Sequence, residues 1–121
     1  MKILFLTDIP DRNGRIFPKE LVSDRLQSSA ENGDAIPGHL VKEIADADDD
    51  IVIKNCFVVA SAEDHEKGII LEFKFVGLDK PLDFELIPEK LQAEIRGMVF
   101  LDSDNKITDL QILTIDVVQR L

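Results

Sequence analysis

The chain has 121 residues, of which 45% are apolar and 31% charged, the size and balance of one folded domain rather than of a disordered tail. Its formal net charge of -10 disfavours direct attraction to nucleic acid or to an anionic membrane and favours basic patches on other proteins. No apolar run approaches the roughly 18 residues that a membrane helix requires, the start lacks a signal peptide's cleavage region, and an unexported, intracellular origin is expected.

Residues 2–7 read as a strand that breaks at Pro10 into the polar turn Asp11-Arg12-Asn13-Gly14-Arg15,. Ile16-Phe17-Pro18 then opens a helix running from Pro18 to about Ala30, with Leu21, Val22 and Leu26 facing inward and Asn32-Gly33 as a left-handed stop,. The stretch "ENGDAIPGHLVKEI" is rich in turn formers and leads through a loop into an extended segment,. The acid run Asp46 to Asp50 offers carboxylates, but a calcium loop starting there would have Ile51 sixth and Phe57 twelfth where it needs glycine and glutamate,. It reads as a solvated turn.

Two strands follow, "DIVIKNCFVVASAED" and "KGIILEFKFVG", rich in Val, Ile and Phe and free of proline,. In the second, Ile69, Leu71, Phe73 and Phe75 share one face and Glu72 and Lys74 the other, so Phe73 and Phe75 are expected in the core. The connection Asp64 to Gly68 reads as a hairpin turn with Gly68 available for a positive φ. "DKPLDFELIPEKLQAEIRG" reads as holding a short helix, with Pro88 near its first turn and Leu91 inward,. "MVFLD" and "ITDLQILTIDVV" are strands joined by the turn Ser103-Asp104-Asn105-Lys106. Asp102 and Asp104 fail the calcium spacing too, with Ile107 sixth and Leu113 twelfth. The order predicts an α+β fold in a single domain over 1–121: a mainly antiparallel, barrel-like sheet flanked by two helices.

Residues able to carry chemistry are few. The single cysteine, Cys56, excludes an internal disulfide and a multi-cysteine metal site and reads as a small buried hydrophobe. Of the two histidines, His65 falls at a hairpin tip and His39 where a loop becomes a strand, the better place for a functional group,. Ser23, Ser28, Ser29, Ser61 and Ser103 are the candidate hydroxyls, and none sits in a nucleophile motif,. From the residues alone there is no catalytic set, no metal site and no cofactor site.

The opening "FLTDIPDRNGRIFPKELV" resembles the N-terminal signature of the prohead core proteases of tailed bacteriophages, a strand followed by Asn, Arg, an aromatic-proline pair and a helix. Asn13, Arg15, Phe17, Pro18 and Lys19 stand at the signature positions, with phenylalanine where tyrosine is common. "NGDAIPGHL" puts His39 at the place of the family's catalytic histidine, with Leu40 replacing the proline that follows it. "LQAEIRGMVFLDSDNKITDLQILTIDVV" matches the later part of the pattern at Arg96, Gly97, Asp116, Val117 and Val118. The resemblance implies the fold of prohead and herpesvirus-type maturation proteases, capsid or other head proteins as partners, residence in the virion in many copies, and no cofactor.

Glu94 and Ile95 stand where the family has its serines, and neither can accept an acyl group. What the resemblance implies is therefore a non-catalytic relative with His39 vestigial, a structural or auxiliary head component such as a decoration protein. Two other readings stay open. One is an active maturation serine protease with its nucleophile elsewhere, against which stands the absence of any serine between Ser61 and Ser103. The other is a small α+β protein-binding module unrelated to phage heads.

Overall fold

The computed structural model describes residues 1–44, 50–77 and 81–121, so Asp46 to Asp49 of the acid run lie outside the described residues. Strand β1 (Lys2–Leu6) and helix α1 (Lys19–Glu31) are followed by β2 (Pro37–Lys42), β3 (Ile51–His65), β4 (Gly68–Phe75), β5 (Leu91–Leu101) and β6 (Ile107–Gln119). The strands form one six-stranded sheet in the order β1-β4-β3-β2-β6-β5. All neighbours are antiparallel except β2 and β6, which run parallel with Leu40 opposite Val117 and Val41 opposite Val118. The sheet curls into a half-barrel, bringing its two edges, β1 and β5, close without joining them by a ladder.

Period-two alternation decides which side chains fill the concave side. Ile3 and Phe5, Leu40, Phe57, the trio Ile69, Leu71 and Phe73, Ile95, and Ile115 with Val117 all enter one cluster. Helix α1 closes it with Val22 and Leu26, four residues apart on one helical face,. Cys56 is fully buried in the same cluster, and desolvation pushes its thiol pKa up,.

The helix ends as its sequence suggests. The Gly33 N–H donates to Ala30 O at 3.1 Å and the Asp34 N–H to Ser29 O at 2.8 Å, with Gly33 at φ 73°, a Schellman termination. At the other end Pro18 is the extended cap residue and the helix proper begins at Lys19.

Three expectations are corrected. The helix near Leu91 is only a 3-10 turn, Pro88–Lys90, and "LQAEIRG" is the start of β5. Its helix-forming residues are overridden by an eleven-pair ladder to β6 in which Ile95 faces Ile115,. Phe75 lies on the expected face but is 52% exposed, because β4 runs past the edge of the core there; its ring meets Phe57 edge-on at 5.7 Å from the rim. Gly68 does not take a positive φ. It is needed for close approach instead, since a Cβ there would lie 2.0 Å from the Phe5 carbonyl oxygen on β1,.

Residues 81–87 run across the end of the sheet, held by the buried side chain of Gln119. Its Oε1 accepts the Ile87 N–H at 2.7 Å and its Nε2 donates to Glu85 O at 3.1 Å. Leu82, Phe84 and Leu86 pack onto the core from this segment.

Candidate functional site

Because Leu40 and Val117 face the core, their neighbours His39 on β2 and Asp116 on β6 face the other side of the sheet,. On β5, Glu94 is paired with Asp116 and Arg96 with Thr114, so both join the same side. Residues far apart in sequence thus meet across three adjacent strands. The Asp116 side chain is 2% exposed. Its Oδ1 accepts the His39 backbone N–H at 3.1 Å and its Oδ2 lies 3.2 Å from Arg96 Nε. His39 Nδ1 stands 3.6 Å from Oδ1. A carboxylate this deep requires a partner charge and hydrogen bonds, and Arg96 with the β2 backbone supplies both.

Gly97, next to Arg96, explains the local irregularity. The ladder slips between Arg96 and Gly97, and a Cβ on Gly97 would sit 1.9 Å from Gln111 O. Only glycine lets β5 approach β6 this closely at the bulge.

Glu94 belongs to a second set of contacts. The turn after β1 is built by Asp11, whose Oδ1 accepts the N–H groups of Asn13 at 2.8 Å and Arg15 at 2.9 Å, with Gly14 at φ 79°. This holds Arg12 over the gap between β1 and β5. Arg12 Nε lies 3.0 Å from Glu94 Oε1 and Arg12 Nη1 3.1 Å from Glu43 Oε1, and Arg120 pairs with both carboxylates. The hydrogen bond from Arg120 is the largest cause that holds the Glu43 carboxyl below the usual glutamate range, with the Arg12 charge a smaller one,. Arg15 turns back to Asp11 Oδ2 and lies over the Phe17 ring at 5.3 Å. Phe17 in turn is buried edge-on against Phe5 at 5.4 Å. The polar turn between two hydrophobic elements therefore closes the half-barrel with side chains where no ladder does.

Seen from the sequence expectations, Arg96, Asp116 and His39 are brought together and Glu94 lies beside them, while Ile95 points into the core. Asn13, Arg15, Phe17 and Pro18 shape the turn and the helix entry on the other side of the gap. His65 takes the Lys67 N–H on its Nδ1 at 3.1 Å and so caps its own hairpin. Sequence reasoning missed Glu43 and Arg120 and passed over Thr114, whose buried hydroxyl has no hydrogen-bond partner among the described residues. The alternation in "LTIDVV" puts Thr114 and Asp116 on one side and was the available signal; nothing local announces Glu43 or Arg120.

A general base needs a hydroxyl within about 3 Å or one water away; among the described residues His39 Nδ1 has no hydrogen-bond partner, and none of Ser23, Ser28, Ser29, Ser61 or Ser103 bonds to it. Ser61 lies on β3 and Ser103 in the β5–β6 turn. Asp102 uses its Oδ1 on the N–H groups of Asp104 and Lys106. Among the described residues no group of three or more His, Cys, Asp or Glu is placed to hold a metal ion. No family model, curated protein or solved structure matches the chain.

Proposed function

We propose that the chain is a non-catalytic relative of the prohead core proteases that serves as a structural or auxiliary component of a phage head. One observation carries the reading. At the position the resemblance gives to the nucleophile, Glu94 is engaged by Arg12 and Arg120, while His39 faces a buried, Arg96-paired Asp116 with no hydroxyl bonded to it. The side chain at that position is held in ion pairs rather than free to react. What remains is an acidic surface, with a net charge of -10, suited to basic patches of other head proteins and repelled by packaged DNA. Many copies of a capsid subunit allow a modest interface per copy to hold.

The test has two arms. Purified protein is sedimented with empty mature phage shells at low and high ionic strength, and separately incubated with scaffold and capsid precursors. Co-sedimentation that weakens with salt and intact precursors are expected. Precursor cleavage that is lost in His39→Ala or Thr114→Ala, with no shell binding at either ionic strength, overturns the reading in favour of an active protease.

A further inference from the structure

Strand β3 is longer than its partner on one side. Its ladder with β2 ends at Val58 opposite Pro37, and one more bond, from the Val59 N–H to Ile36 O at 3.0 Å, continues that line. The chain before Ile36 then leaves for the end of α1, whereas β3 continues to His65 with only β4 beside it. Ala60 to Asp64 thus form a stretch of strand edge with no ladder partner among the described residues, about 16 Å long at roughly 3.3 Å per residue.

The backbone groups on this edge can be assigned. The Phe73 N–H of β4 bonds to Met1 O, on the β1 side. Antiparallel alternation then turns Leu71 and Ile69 toward β1 and Glu72 and Ile70 toward β3. Their partners Ser61 and Glu63 direct their N–H and C=O groups at β4, which leaves those of Ala62 and Asp64 directed outward.

That edge forms one wall of a groove of about 570 Å³ whose other wall is the C-terminal half of α1. Leu26, Ile36, Val59 and Ile69 give it an apolar floor, and its rim carries Asp34, Glu63 and Asp64 with no basic residue among those lining it. Asp64 already has Lys19 as a partner at 3.2 Å; Asp34 and Glu63 have no ion pair among the described residues. Charges and a bulge on a strand edge protect it from pairing with itself, and both are present, the bulge falling between Val59 and Ser61. The same carboxylates that repel a second acidic copy attract a basic strand.

We propose that this groove binds an extended segment of a partner protein, about five residues with apolar and Lys or Arg side chains alternating, as an added antiparallel strand along Ala60 to Asp64. The outward backbone groups of Ala62 and Asp64 supply main-chain hydrogen bonds, the floor takes the apolar side chains, and Asp34 and Glu63 take the basic ones. The small side chains of Ala60, Ser61 and Ala62 leave room for the incoming strand. The site shares no residue with the Asp116 patch and does not depend on the capsid reading.

The probe is a fluorescein-labelled, end-capped peptide alternating Val and Lys, titrated with the full chain by fluorescence polarisation. Saturable binding that weakens with salt is expected, with at least tenfold weaker binding of the Val/Glu counterpart. Ala62→Pro removes an outward N–H that no ladder uses, a change that strand edges tolerate, and should weaken binding at least tenfold at an unchanged melting temperature. If that variant fails to fold, Glu63→Lys with Asp34→Lys makes the same demand through charge. No saturable binding by the natural chain, binding indifferent to Ala62→Pro or to the charge reversal, or dimerisation through this edge without peptide each overturns the proposal.

Discussion

Two turns of this molecule share one backbone plan and differ in what their side chains reach. Asp11-Arg12-Asn13-Gly14-Arg15 and Asp102-Ser103-Asp104-Asn105-Lys106 each use the first aspartate to accept the N–H groups two and four residues on. Each has a left-handed fourth residue, Gly14 at φ 79° and Asn105 at φ 61°, and each is closed by a bond from the first N–H to the fifth carbonyl, at 2.8 and 3.0 Å. They are even stitched together, the Ile16 N–H donating to Asn105 O and the Ile107 N–H to Ile16 O. Yet the second residue of the first turn is Arg12, which forms ion pairs with Glu94 on β5 and with Glu43 just after β2, and that of the second is Ser103, which is exposed. The plan is a local solution of backbone hydrogen bonding; the tertiary role is added by one side chain.

Stability measurements on matched positions of the two turns test how far the likeness goes. The largest effect belongs to the core residues that follow the turns, Phe17 and Ile107, 2% and 1% exposed. Phe17→Ala should cost about 3–5 kcal/mol and Ile107→Ala about 2–5 kcal/mol, read from urea unfolding midpoints. A Phe17→Ala variant as stable as the parent would mean that the first turn does not deliver its neighbour to the core.

Next come the aspartates themselves. Asp11→Ala and Asp102→Ala each remove the acceptor of two N–H groups, and each should cost about 1–2 kcal/mol, with Asp11 the larger because it also holds Arg15. Thermal unfolding of the pair of variants checks this, and a neutral result at either position would show that the shared plan is not what holds that turn.

The smallest effect is the one that separates the turns. Arg12→Ala should lose only about 0.5–1 kcal/mol, since its pairs are half-exposed and screened, while Ser103→Ala should be neutral. The acid limb adds resolution. Glu43 titrates lower in the folded chain than its ordinary range, so the stabilisation it gives is fully present above that range and is lost as pH falls through its folded pKa. Stability measured from pH 6 down to pH 3 should fall more gently in Arg120→Gln, which removes the main cause, than in Arg12→Ala. Equal flattening in both would put the two arginines on the same footing.

The sequence showed β1, α1, the β3–β4 hairpin and β6 through short-range signals: alternation, a Pro-to-Gly helix frame and polar turns. It misread residues 91–97 because Glu, Leu, Gln and Ala carry helical preference while the strand is imposed by β6. It placed Phe75 inward because alternation reports a face and says nothing of where the core ends. The meeting of His39 with Asp116 depends on the parallel pairing of β2 with β6, and the Arg12, Glu43, Arg120 and Glu94 network on the curl of the sheet. Neither pairing leaves a mark in the neighbouring residues, so the candidate site was legible only as separate letters.

That parallel pair also has a kinetic consequence. Leu40 opposite Val117 closes a loop that encloses both hairpins, and the entropy of such a closure must be met before the contacts it brings can compensate. The hairpins β3–β4 and β5–β6 join near neighbours in sequence and should form early, leaving the seating of β2 beside β6 as the slow, rate-setting event. A domain with this contact order is expected to fold in milliseconds to seconds rather than microseconds. During that interval the row of backbone groups on β2 that later meets β6 is an open template for another chain.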